Sequence, residues 1–146
     1  MSELLAGHDC VLFDLDGVLY RGDRAIPGAA EAVDAVRAAG RAVIFMTNNS
    51  SRTPQAVADT LRELGIPARP EEVVTSALAT AELLASRGGG TAFVVGEEGI
   101  RSALSEAGVR LVDGEPQGVD HVVVGWDRGI DYPKLRTACL LVQRGA

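Results

Sequence analysis

Residues 9–16 read DCVLFDLD, an apolar centre of strand length closed by acids and followed at once by Gly17. A run this short suits a strand rather than a helix, and its unbroken apolar centre is the pattern of a strand buried on both faces, as in parallel sheets. A second run, RAVIFMT at 41–47, repeats the pattern. Between them Ala29, Ala30, Val33, Val36 and Ala39 recur at helical spacing, and Gly40 stands where a helix C-terminus takes a left-handed residue. Thr53 and Pro54 then supply an N-cap and a first-turn proline for a helix carrying Val57, Leu61 and Leu64 before Gly65. This strand-helix-strand-helix order predicts an α/β layered fold around a parallel, Rossmann-like sheet.

The second half continues the theme. After the proline-bounded IPARP at 66–70, a helix is expected over 76–87, capped by Ser76 and closed by Gly88 to Gly90. Strand 91–95, helix 98–107, short strand 109–112, strand 121–125 and a last helix from Tyr132 to Arg144 follow. The seam is placed near 75–80, giving a first domain over 1–76 and a second α/β domain over 77–146. No strand follows the last helix, so the closing βαβ unit of the second part is expected to be incomplete.

At 146 residues and 47% hydrophobic, the chain can bury a core without staples. Fourteen basic residues against twenty acidic ones give a net charge of -6, which argues against nucleic acid as a partner. No apolar run approaches the roughly 18–20 residues of a membrane span, and the N-terminal MSELLAGHDC lacks the form of a signal peptide, so no membrane association and a cytoplasmic location are expected. Cys10 and Cys139 lie far apart in apolar stretches and are expected to be buried reduced thiols. His8 and His121 have no partner at metal-ligand spacing and are expected to be ordinary surface or satisfied histidines.

In open parallel sheets ligands bind beyond the carboxyl ends of strands, which here are Asp14-Leu15-Asp16-Gly17 and Thr47-Asn48-Asn49-Ser50. Two carboxylates at a strand mouth invite a divalent cation, and Mg²⁺ suits an oxygen-only donor set. An aspartate there can attack phosphorus while its neighbour serves as general acid and then general base. The hydroxyl, amides and backbone N–H groups of TNNS are suited to holding phosphoryl oxygens. Other candidates carry less. Gly96 and Gly99 in VVGEEG suggest an anion-binding turn, but Glu97 and Glu98 would repel phosphate. Tyr20 and Trp126 could line a cleft, although single aromatics usually pack. The DxDG order places its glycine too early for a calcium loop and lacks the distal glutamate.

An apolar strand ending FDLDGVL, with a second ending TNNS about thirty residues later, resembles the haloacid dehalogenase-like (HAD) superfamily. The segments VVTSALATAELLAS, VVGEEGI and VVVGWDRGIDYPKL are similar to its subfamily IIA, the branch with a large α/β cap that includes p-nitrophenyl, phosphoglycolate and pyridoxal phosphatases. The resemblance implies the N-terminal half of a HAD core with part of an inserted cap, and an Mg²⁺-dependent phosphomonoester hydrolase acting through an aspartyl-phosphate on a small phosphorylated metabolite. It further implies Asp14 as nucleophile and Mg²⁺ ligand, and Asp16 as acid/base and as Mg²⁺ ligand through its carbonyl. Thr47, Asn48 and Asn49 would bind the phosphoryl group and Gly17 to Tyr20 would turn toward the cap; cap-to-cap homodimers are common in the family it resembles, and the oligomeric state stays open.

The family also needs a lysine and a distal acidic motif. Lys134 is the only lysine, and Asp127 and Asp131 near it mimic the acidic motif, but their spacing is shifted by Trp126. Asp131-Tyr132-Pro133 reads more simply as a helix cap and Lys134 as a surface residue of the first turn. The expectation is therefore a truncated phosphatase chain. The alternative is an inactive remnant or a phosphate- or Mg²⁺-binding or subunit-association module.

Overall fold

The computed structural model describes residues 5–146; Met1 to Leu4, the first part of the N-terminal stretch read above, lie outside the described residues. The chain divides into two compact units, one running to Thr47 and including Pro54–Val74, the other formed by Asn48–Thr53 and Thr75–Ala146.

In the first unit β1 (Cys10–Asp14) leads through a small hairpin, β2 (Tyr20–Arg21) and β3 (Arg24–Ala25), to α1 (Ala29–Ala38). Then come β4 (Ala42–Thr47), α2 (Pro54–Glu63) and β5 (Val73–Thr75), with sheet order β1-β4-β5. β1 and β4 are parallel, with Cys10 opposite Ala42 and Asp14 opposite Met46. The sequence reading contained neither the hairpin nor β5, because two- and three-residue strands leave no period to detect. Gly65 ends α2 in the left-handed region (φ 79°), donating to Arg62 O at 2.9 Å while Ile66 N reaches Leu61 O at 2.8 Å. That closure turns Ile66 into the core.

The core of this unit joins Val33 and Val36 of α1, Val43 and Phe45 of β4, and Val57 and Leu61 of α2. Phe45 is fully buried, its ring centroid 6.3 Å from that of Phe13 in a tilted pair. The expectation that β1 is buried on both faces is corrected. Val11 and Phe13 pack against the core, whereas Leu12 is 62% exposed and Met46, opposite Asp14 on β4, is 43% exposed. An apolar run fixes the strand, but only a covering element buries each face, and this unit's α1 and α2 pack on the Val43/Phe45 side. Cys10 shares the open face and is exposed; Cys139, on the outer side of the last helix, is exposed too, so the expectation of buried thiols is likewise corrected.

Glu72 is the buried charge among the described residues of this unit, its side chain 9% exposed. It accepts from Arg37 Nη2 at 2.8 Å, Arg69 Nη2 at 3.0 Å and Arg69 N at 2.9 Å. Burial pushes its carboxyl up, but the bonds from Arg69 and the charge of Arg37 together hold it below the usual value.

In the second unit α3 (Ser76–Ser86) is followed by β6 (Thr91–Val95), α4 (Glu98–Glu106), β7 (Arg110–Leu111), β8 (His121–Val124) and α5 (Tyr132–Gln143). The sheet is parallel in the order β7-β6-β8. Here the apolar run TAFVV is buried on both faces. Ala92 and Val94 join Ala81 of α3 and Leu104 of α4, while Phe93 and Val95 meet Ala138 and Leu141 of α5. The N-cap of α3 is Thr75, whose side chain accepts from Leu78 N at 3.2 Å, rather than the expected Ser76. Either hydroxyl could have capped, and Ser76 is the first residue of the helix.

Glu97 precedes α4 and grips the loop after β8. Its Oε1 accepts from Arg128 N at 2.8 Å and Nε at 2.9 Å, and its Oε2 from Arg128 Nη2 at 2.5 Å. These bonds from Arg128 pull the Glu97 carboxyl from an ordinary 4.5 down to about 2. The stability it contributes is present above the ordinary value and is lost as the pH falls toward about 2.

Two outcomes follow from this packing. Phe45→Ala lowers the unfolding free energy by about 3–5 kcal/mol in urea denaturation, the range for emptying a buried aromatic site. In a carboxyl-detected NMR titration, Glu97 has its midpoint at about 2, and Arg128→Ala raises it toward the ordinary 4.5.

Candidate active site

β1 ends at Asp14, two residues before the expected boundary, because the chain wraps tightly there. The Leu15 carbonyl accepts from the N–H groups of Val18 at 3.2 Å, Leu19 at 2.9 Å and Tyr20 at 3.2 Å, while Gly17 N donates to Tyr20 O at 2.7 Å. Gly17 makes the turn at φ 83°, in the region that penalises any side chain. Leu15 and Leu19 are buried at 1% exposure and anchor the loop, and Tyr20 packs on the same core. Asp14 and Asp16 are thereby left exposed on a fixed turn.

Neither aspartate side chain has a hydrogen bond or ion pair among the described residues. The unpaired Asp14 carboxylate, with the oxygens of Asp16 two residues on, offers oxygen alone and fits a small hard cation that keeps part of its water shell and binds through one or two carboxylates. No group of three or more His, Cys, Asp or Glu able to hold a metal occurs among the described residues, so the fit rests on Asp14 and Asp16.

Thr47 is the last residue of β4, one position beyond the partner of Asp14, so Asp14 and Thr47 lie at the same end of adjacent parallel strands. Asn48 and Asn49 are exposed and belong to the segment that packs with the second unit. The Asn49 Oδ1 accepts from both Ser51 N and Ser51 Oγ at 2.8 Å, which fixes the amide against the turn. Ser50 and Ser51 are buried at 8% and 5% exposure. Sequence pattern marks Ser50 only as part of a polar turn and does not mark Ser51. The signal that could have marked them lies far away in the chain, in the glycines of VVGEEG and VVVGW.

The residues considered as substitutes are engaged locally. Asp131 caps α5 by accepting from Lys134 N at 2.9 Å, as expected. Lys134 Nζ donates to Asp127 Oδ2 at 2.9 Å and to Gly129 O at 3.1 Å, and Asp127 Oδ1 accepts from Gly129 N at 2.8 Å. The Asp127 side chain is only 5% exposed, so this lysine and this acid staple their own loop. At the Gly96–Gly99 turn, Glu97 is already neutralised by Arg128. His121 Nε2 bonds to Gly89 O at 2.9 Å, a satisfied histidine as expected, and Trp126 is 63% exposed. No helix among the described residues is long and apolar enough to cross a membrane.

Comparison with known proteins agrees with this layout. The family model of the haloacid dehalogenase-like hydrolases matches residues 11–110. An acid sugar phosphatase from Staphylococcus haemolyticus is 43% identical over 136 residues, which cover 92% of this chain and 51% of that one. The crystal structure of a putative p-nitrophenyl phosphatase from Bacillus subtilis superposes with a TM-score of 0.82 at 42% identity, over 95% of this chain and 53% of that one. A glycerol phosphate phosphatase from Mycobacterium tuberculosis, solved in complex with magnesium, gives a TM-score of 0.88 at 37% identity, over 95% and 42% of the two chains. The chain thus spans about half the length of the curated relatives it matches. With its FDLDG turn and TNNS strand end set on two α/β units, the chain belongs to the haloacid dehalogenase-like hydrolases, in the p-nitrophenyl phosphatase-like subfamily IIA.

Proposed function

We propose that this chain carries the nucleophile, acid/base and phosphoryl-binding residues of an Mg²⁺-dependent phosphomonoester hydrolase acting on a small phosphorylated metabolite. The observation that carries the reading is the parallel register, which sets the Asp14 and Thr47 ends of β1 and β4 side by side. The names of the relatives, acid sugar phosphatase, p-nitrophenyl phosphatase and glycerol phosphate phosphatase, support the substrate class.

In this reading an Asp14 carboxylate oxygen attacks phosphorus, and the bond to the leaving oxygen breaks as the acyl phosphate forms. Asp16 gives its proton to that leaving oxygen and afterwards takes one from the water that attacks the acyl phosphate, so each residue returns to its starting state. The Thr47 hydroxyl and the Asn48 and Asn49 amides donate to the phosphoryl oxygens. Mg²⁺, held by the Asp14 carboxylate and the Asp16 carbonyl, would neutralise phosphoryl charge when bound. Lys134, Asp127 and Asp131 take no part, being committed to the loop and cap of α5. The family's lysine and distal acid belong, in this reading, to the further length that the relatives have. Without such preorganised charge the barrier stays higher by several kcal/mol, so turnover by the 146 residues is slow.

The test is p-nitrophenyl phosphate hydrolysis by the purified chain in Mg²⁺ or EDTA. Turnover is expected to require Mg²⁺, to fall at least about a hundredfold in Asp14→Asn, and to stay within about twofold in Lys134→Met. Turnover that survives Asp14→Asn, that is lost in Lys134→Met, or that is absent from the folded chain would contradict the proposal.

A further inference from the structure

The segment after Thr47 is seated in a fitted slot of the second unit. Asn48 O accepts from Ser76 Oγ at 2.8 Å, Ser51 O accepts from Gly99 N at 3.0 Å, and the buried Ser50 Oγ accepts from Trp126 N at 2.9 Å. Two glycines make the slot. A Cβ on Gly125, just after β8, would stand 2.5 Å from Ser50 Oγ and 3.3 Å from Ser50 Cβ. A Cβ on Gly99, in the first turn of α4, would stand 2.5–2.6 Å from the backbone O, C and N of Arg52. Neither glycine has a left-handed φ, so it is the close approach of the segment, and not the local backbone, that excludes a side chain at both positions.

We propose that Ser50, Gly99 and Gly125 are positioning residues that hold Asn48 and Asn49 in the orientation needed to bind a phosphoryl group. The proposal rests on the phosphoryl-binding reading of Thr47, Asn48 and Asn49 given above. The connection is short and physical. Gly99 fixes the Ser51 carbonyl, Ser51 in turn fixes the Asn49 amide through its N–H and hydroxyl, and Ser50 is locked to the Trp126 amide two residues after β8. Binding groups lose most of their effect when displaced by about 1 Å, and an added methyl at Gly125 forces a shift of that order.

The experiment measures the affinity of the 146-residue chain for inorganic phosphate at saturating Mg²⁺, by calorimetry and by fluorescence of Trp126, its one tryptophan. Mg²⁺ affinity is measured separately, and far-UV circular dichroism shows that each variant is folded at the assay temperature. Thr47→Val, outside the slot, reports on the phosphoryl-binding reading itself. The expected result is that Thr47→Val weakens phosphate binding and that Gly125→Ala weakens it about tenfold while Mg²⁺ affinity stays within about twofold. The double variant Ser50→Ala/Gly125→Ala, which removes the clashing oxygen, recovers phosphate affinity to within about threefold of the original chain. A merely structural lesion would lower both affinities together. If Gly125→Ala does not fold, Ser50→Ala carries the test, with an expected loss of about threefold in phosphate affinity. Wild-type phosphate affinity in Gly125→Ala, or in Ser50→Ala where that variant stands in, overturns the positioning role and leaves the phosphoryl-binding reading intact. No phosphate binding by the original chain, or none lost in Thr47→Val, overturns both.

Discussion

The parallel pairing of β1 with β4 is the constraint on which the rest depends. Parallel neighbours share a direction, so the residue that ends one strand lies beside the residue that ends the other. Here that puts Asp14 against Met46 and one step from Thr47. The pairing is held by the buried Phe45 and by the α1 crossover between the strands, whose Val33 and Val36 lie in the same core. Had the strands been antiparallel, the carboxylate and the hydroxyl would stand at opposite ends, about 15–20 Å apart for strands of this length.

Charge pairing elsewhere in the chain leaves the acids at that end of the sheet without a partner among the described residues. Glu72, Glu97 and Asp127 each have a guanidinium or ammonium partner at hydrogen-bond distance, and Arg128 holds Glu97 down to about 2. Asp14 and Asp16 have no such partner among the described residues. A carboxylate whose oxygens are already taken by a guanidinium or ammonium has fewer of them left for a ligand, so the contrast separates acids that build the fold from acids left open. The same contrast removes Lys134 from contention, since its ammonium is spent on Asp127 and Gly129.

Most of this was legible in the sequence where a residue type and a local period coincide. The apolar runs gave β1, β4 and β6, the Asp131-Tyr132-Pro133 order gave the start of α5, and FDLDG with TNNS gave the family. Local pattern does not carry three other features. Whether a face of a strand is covered depends on elements elsewhere, so β6 and β1 read alike yet Leu12 is exposed and Phe93 is not. The choice of Thr75 over Ser76 as cap turns on a single backbone conformation. The seating of Ser50 against Gly125 joins residues 75 positions apart, and a glycine after a strand looks the same whether it serves a turn or a close approach.

The central claim is that Asp14 is the residue to which the phosphoryl group is transferred. It is tested most directly by acid-quenching the chain during reaction with p-nitrophenyl phosphate and Mg²⁺ and mapping the product by peptide mass spectrometry. The account predicts the mass of one phosphoryl group on the peptide spanning Asp14, localised to that residue. A phosphoryl group on Asp16, Asp127 or any other residue, or none while product accumulates, would contradict it.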